Sequence, residues 1–100
     1  MTQADADYYV ECMSDLERRV IVLCSLTGTY QYSRLAEMTD APHGEVKRIG
    51  DRFKAMNLAI IKPTVSGGEF SGLGIFLNER GEKVRATVEK LSLENKNAEN

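Results

Sequence analysis

Residues 33–61, SRLAEMTDAPHGEVKRIGDRFKAMNLAII, constrain this chain more than any other stretch, because they read as two helices joined by a tight turn and followed at once by a strand. Ser33 is placed to cap a helix over residues 34–38 whose apolar side is Leu35, Ala36 and Met38. Thr39-Asp40-Ala41-Pro42 is turn chemistry, and Pro42 suits the first position of a new helix, where its missing N–H costs nothing. In that helix, residues 43–56, Val46, Ile49 and Phe53 fall at i, i+3 and i+7, with Met56 continuing the stripe toward a core. His43, Glu45, Lys47, Arg48, Asp51 and Lys54 occupy the other side. Asn57 is a left-handed stop, and residues 58–62, LAIIK, read as a strand.

Composition limits what can be built around that stretch. One hundred residues with 42% hydrophobic content suffice for one domain with a modest core. No apolar run approaches the roughly 18 residues that a membrane span needs. The opening MTQADADYY has acids where a secretory leader starts positive, so a cytoplasmic protein without membrane attachment is expected. Cys12 and Cys24, with a single histidine, are too few for a zinc site or a disulfide framework; both are expected as reduced, buried thiols. Paired acids in an apolar setting, a phosphate loop and a metal-spaced ligand set are all missing, so neither catalysis nor a cofactor is expected. The formal net charge of -2 is unevenly spread. Residues 1–17 hold five acids and no base, whereas residues 43–62 hold five bases against Glu45 and Asp51. Positive charge is therefore concentrated in the second helix of the pair and the strand after it.

The flanking segments complete the pattern. Residues 1–14 form an acidic segment with a short helix, its apolar end (Tyr8, Tyr9, Val10, Met13) packing on the terminal helix. Ser14-Asp15-Leu16-Glu17 fits a capping box opening a core helix over residues 15–26, with Leu16, Val20, Leu23 and Cys24 at helical spacing and a stop at Thr27-Gly28. Residues 29–32, TYQY, are a β-prone stub. Pro63 demotes the continuation of strand 58–62 to an edge, Ser66-Gly67-Gly68 marks a turn, and residues 74–77 return as a second strand. Asn78 caps a final helix over residues 79–93 with Val84, Val88 and Leu91 on one stripe; Gly81 is its weak point. Residues 94–100 are a polar tail, leaving residues 15–93 as the domain. The fold class is mainly α with a small β-hairpin.

Helix, stub strand, helix, turn, helix, hairpin, helix is the order of a winged helix-turn-helix domain. RLAEMTDAPHGEVKRIGDRFKAMNLAII resembles the DNA-reading segment of bacterial MarR-like and IclR-like regulators, and IFLNERGEKVRATVEKL resembles the second wing strand and following helix of MarR-like proteins. The resemblance spans residues 15–93 and lies in patterns of residue type. It implies a DNA-binding regulator of transcription whose partner is double-stranded DNA. His43, Gly44, Glu45, Lys47 and Arg48 would stand at the exposed start of the recognition helix, with Arg48 able to take a guanine in bidentate fashion. Lys47, Arg52, Lys54 and Lys62 would meet phosphates, and Ser33 and Arg34 would add a helix-end contact to the backbone. The apolar terminal segments, residues 8–13 and 84–91, would pair two copies as a homodimer.

Two features depart from the pattern. The wing tip, SGGEFSGLG, carries Glu69 where basic residues are usual, and Gly44 and Gly50 lie inside the recognition helix, each costing about 1 kcal/mol relative to Ala. Gly50 would permit close helix packing. Gly44 either permits close approach of something outside or frays the helix start. Phe70 is open to three readings: loop residue, core plug or partner anchor. The acidic amino terminus and unbasic wing give the alternative function, a winged-helix module that binds a protein partner as adaptor, antagonist or assembly subunit. On that reading the basic helix face is a solvated surface balanced by Glu45 and Asp51.

Overall fold

The computed structural model describes residues 1–24, 31–66 and 68–98, and within them every side chain except those of residues 66, 69–71 and 94–98. Five helices and a two-stranded antiparallel sheet follow in the order α1 (Gln3–Cys12), α2 (Asp15–Leu23), α3 (Tyr32–Thr39), α4 (His43–Ala55), β1 (Ala59–Ser66), β2 (Glu69–Leu77) and α5 (Glu79–Ala98).

Capping boxes start the first two helices. Thr2 and Asp5 bond each other's backbone amides at the head of α1, and Ser14 and Glu17 do the same at the head of α2. The amide bond from Thr2 holds the Asp5 carboxyl below its ordinary range. Ala6 and Val10 of α1 and Met13 after it are buried, and α1 lies along α5, joined to it by the Gln3 Nε2 bond to Thr87 Oγ1 at 2.9 Å. The expected packing of the apolar end of α1 on the last helix holds for Val10 and in part for Tyr9, whose hydroxyl accepts from Arg80 at 3.2 Å. Tyr8 is 66% exposed, because it stands on the side of α1 away from Ala6 and Val10. Cys12 corrects a second expectation. It is exposed at the end of α1, while Cys24 is fully buried.

The helix expected over residues 15–26 ends at Leu23; the turn at Thr27-Gly28 and the Thr29-Tyr30 part of the stub lie outside the described residues. Of the stub, Gln31 forms an isolated antiparallel bridge to Gly74 of β2, and Tyr32 already belongs to α3. Ser33 is accordingly not the cap of α3. Gln31 holds that position and its carbonyl accepts from Leu35 at 2.9 Å, so pairing with the sheet decides where the helix begins. Likewise Pro42 is the N-cap of α4, extended in backbone, rather than its first residue. Val46, Ile49 and Phe53 are buried as the spacing predicts, and Asn57 is left-handed with φ 59°. Asp40 ends α3 in the same way, with φ 53°, its amide returning to the Ala36 and Glu37 carbonyls.

The hairpin is longer than the sequence suggests. Ala59 pairs with Leu77 and Ile61 with Ile75, which places Ala59, Ile75 and Leu77 in the core; pairing then runs past Pro63, with an irregularity between Pro63 and Val65, to Ser66 opposite Glu69. Gly68, at φ 84°, supplies the backbone conformation that the turn requires, and Gly72, at 104°, lies within β2 opposite the irregularity. At the root, Asn78 caps α5 through Gly81 N at 2.9 Å, donates its own amide to Leu58 O at 3.0 Å and reaches Asn57 O through Nδ2 at 2.9 Å. Gly81 is less a weak point than a necessity, since a Cβ there would run into the Leu58 carbonyl. The core thus lies where α2, α4, α5 and the hairpin root meet, with Ile21, Leu35, Phe53, Leu58, Ile75 and Val84 completely buried.

Candidate nucleic-acid interface

The azimuth of α4 is fixed by its apolar stripe and by one glycine. With about 3.6 residues per turn, Val46, Ile49, Gly50 and Phe53 define the inward side, and Gly44, Arg48, Asp51 and Ala55 must point outward. Gly50 rests against the buried ring of Tyr32, whose hydroxyl lies 2.6 Å from where a Cβ would be. Close packing of α3 on α4 is therefore its role. Gly44, by contrast, faces open space.

Outward lie three cations. Arg48 has its side chain 77% exposed and pairs with Glu45 at 3.3 Å. Such an exposed pair contributes about 0–1 kcal/mol, so a phosphate or a base edge could displace it. Lys47 and Lys54 are exposed on the flank that faces the start of α3. His43 sits there too, its ring edge-on to Tyr32 with centroids 6.0 Å apart. Ser33 and Arg34, exposed in the first turn of α3, complete this side. Neither Gln31 nor Pro42 gives its helix a side-chain cap bond, and in the first turn of α4 Glu45 N donates to Pro42 O at 3.0 Å. A groove of about 260 Å³ runs between the two helices, lined by Gln31, Tyr32, Ser33, His43, Lys47, Gly72 and Leu73.

The structure does not bring all ten residues named from the sequence together. Ser33, Arg34, His43, Gly44, Glu45, Lys47, Arg48 and Lys54 share the surface formed by the two helices. Lys62 is on the hairpin, with its Nζ 4.6 Å from the centre of the Phe76 ring. Arg52 turns the other way. Its Nε pairs with Glu17 Oε2 at 2.8 Å and its Nη2 donates to Cys12 O at 3.2 Å, which ties the half-exposed side chain to the α1–α2 elbow. Glu17 is the residue that sequence reasoning missed as a partner; the capping box identified it, but nothing in the spacing showed that its second oxygen would be buried against α4. A further hollow of about 370 Å³, at the other side of the molecule between α2, the end of α3 and α5, is lined by Arg18, Arg19, Val22, Met38 and Leu91 among others. Nothing in the spacing of residues points to it. Among the described residues no group of three metal-ligating side chains occurs, and no helix is long and apolar enough to cross a membrane.

The same arrangement recurs in solved structures. The transcriptional regulator SlyA superposes with a TM-score of 0.70 at 11% identity, over 91% of this chain and 62% of that one. The chain has a MarR-like winged-helix fold. RV1404 from Mycobacterium tuberculosis matches with a TM-score of 0.67 at 22% identity, over 88% and 59% of the two chains. A MarR family transcriptional regulator from Silicibacter pomeroyi matches with a TM-score of 0.61 at 19% identity, over 93% and 62%. The chain thus spans 59–62% of the length of these three proteins. The sequence matches no protein-family model and no curated protein. In winged-helix terms, α3 and α4 are the helix-turn-helix and β1–β2 is the wing.

Proposed function

We propose that this winged helix is a DNA-binding regulator of transcription, working in the cytoplasm, which presents the outward face of α4 to the major groove of double-stranded DNA. The observation that carries this reading is the division of α4 itself. Its inner side is sealed by Val46, Ile49, Gly50 and Phe53, while Lys47, Arg48 and Lys54 stand outside with, among the described residues, no partner stronger than one exposed ion pair. Arg48, beside the open Gly44, reads a base edge; Lys47, Lys54 and Arg34 hold phosphates. Lys62 contributes only if it leaves Phe76.

A homodimer accompanies this reading, because a two-fold pair of recognition helices is what gives such readers a spaced double site. Val84 and Val88 are consumed by the core, so the pairing surface falls to Leu91 and Leu93 of α5, 40% and 63% exposed. Selection from a random duplex library, followed by titration across salt concentrations, tests the proposal: a recovered motif and an affinity that falls steeply with salt are expected. A flat salt response with no enriched sequence would end it. The alternative, a protein-binding winged helix, has one observation in its favour. The wing beyond Lys62 carries no base, and Val65 at its side is 70% exposed. Stoichiometric capture of a protein by a chain that shifts no duplex at low salt would establish that alternative.

A further inference from the structure

We infer that the elbow between α1 and α2 sets the position of the recognition helix, acting through Arg52 as a positioning residue; this rests on the reading of α4 as the DNA-facing helix. Two hydrogen bonds and one ion pair meet at the elbow. Glu17 has its side chain 8% exposed and divides its carboxylate: Oε1 accepts from Ser14 N at 2.9 Å, closing the cap of α2, and Oε2 pairs with Arg52 Nε at 2.8 Å. Arg52 Nη2 also donates to Cys12 O, one of the carbonyls that the end of α1 leaves without a helical partner. One guanidinium on α4 therefore holds the tail of α1 and the head of α2 together.

The other helix of the pair is gripped from the same direction. Arg19 Nη2 of α2 donates to Thr39 O at the end of α3 at 2.9 Å, and Arg18 closes the elbow on itself through two bonds to Val10 O at 2.8 and 3.2 Å. α3 and α4 are thus anchored to α2 at their backs, and α1 is anchored to α5 through Gln3 and Tyr9. A displacement of α1 along α5 has to break the Arg52 bonds or carry α4 with it. The consequence for function is that the state of α1 controls the angle at which His43 to Arg48 meet a groove, without any residue of α1 touching DNA.

Two substitutions separate this role from a phosphate contact. In Glu17→Gln the amide oxygen keeps the Ser14 cap, while the NH2 group it turns to Arg52 offers no acceptor, so the tie is cut and the helix start retained. Arg52→Lys keeps the charge but loses the planar fork that spans Glu17 and Cys12 O. Each is expected to weaken duplex binding by about tenfold, and the pair together by no more than either alone, since both break one tie. The slope of affinity against salt should not change. If Arg52 instead met a phosphate, Arg52→Ala would flatten that slope by roughly 0.9, and Glu17→Gln would bind like the parent; that result overturns the inference. Parent-like binding by both Glu17→Gln and Arg52→Lys overturns it as well. Hydrogen exchange in the DNA-free protein decides the matter independently of the DNA reading: amides in the second turn of α4, residues 47–50, which bond within the helix, should exchange faster in both variants. Unchanged exchange there refutes the coupling even if the parent binds DNA, and a parent that binds no duplex refutes the DNA reading while leaving the exchange result to judge the elbow.

Discussion

On α4, Lys47, Arg48 and Lys54 stand on a helix whose other side is locked into the core; in the hairpin, residues 63–74 carry a single charge, Glu69, and leave Val65 70% and Leu73 39% exposed. These are the two parts a winged helix can lay on DNA, and they are built differently. The helix has its direction imposed by buried residues at helical spacing, so its charges are aimed before any ligand arrives. The tip of the hairpin is shaped by backbone, through the irregularity after Pro63 and the positive φ angles of Gly68 and Gly72. Its root is the opposite, with Ile75, Leu77 and Asn78 tied into the core. Affinity should therefore come from the helix, and rigidity from the hairpin root.

The strongest challenge to that contrast is Gly81→Ala. The added methyl group meets the Leu58 carbonyl, which belongs to backbone already held by Asn78, so neither side can yield cheaply. A loss of about 3 kcal/mol or more of folding stability is expected, at the upper end of what overpacking costs. Urea unfolding measures it, and a midpoint equal to the parent's would show that the root is not rigid. Next in size is the double change Lys47→Ala with Arg48→Ala. Duplex binding should fall by about 1–3 kcal/mol for the base contact of Arg48, with a further loss for a phosphate held by Lys47. Thermal stability should stay within about 0.5 kcal/mol, because both side chains are exposed. Equal binding by parent and variant would move the working surface away from α4.

Helical spacing made the inner side of α4 legible, and with it the outer side, because burial of Val46, Ile49 and Phe53 leaves only one azimuth for Lys47 and Arg48. The two caps at Ser14 and Asn78 were equally plain, since each needs only residues within one turn. What the sequence could not show were contacts between elements distant along the chain. Ser33 looked like a cap until the Gln31 bridge to Gly74 moved the helix start, and the partners of Arg52 were hidden because periodicity cannot reveal that Glu17 and the end of α1 lie beside that flank. Gly81 was misjudged for the same reason: its cost as a helix residue is local, whereas its use is defined by Leu58. The wing was underestimated in length because Pro63 argues against a strand, and a register irregularity absorbs it.

A smaller effect tests the hairpin side of the contrast. Val65→Lys places a charge on the wing at a position exposed enough to tolerate it. If the wing of the bound protein follows the phosphate backbone, the slope of log affinity against log salt should steepen by roughly 0.9, one added phosphate contact. An unchanged slope would mean that the wing stays clear of DNA and that α4 with the start of α3 makes the whole contact.

The smallest expected effect concerns the joint that aims α4. Tyr32 is 4% exposed, and its hydroxyl, pressed against Gly50, has no hydrogen-bond partner among the described residues. A buried hydroxyl left unsatisfied costs about 1–3 kcal/mol, so Tyr32→Phe should stabilise the fold, by about 1 kcal/mol once the lost packing of the oxygen is set against that cost. The variant should melt roughly 4–8 °C higher. Alkaline pH gives an independent check. Burial, helped by the nearby Asp51 and Cys24, raises the Tyr32 pKa above its ordinary value of 10.0, so the folded state favours the neutral phenol more than the unfolded chain does. The stability linked to that difference is fully present below the unfolded pKa, about 10, and is lost as pH rises through the folded value. The parent should therefore lose stability above about pH 10 more steeply than Tyr32→Phe, and the gap between their melting temperatures should widen. A gap that stays constant would mean that the phenol ionises alike in the folded and the unfolded chain, and that burial against Gly50 does not hold the hydroxyl neutral.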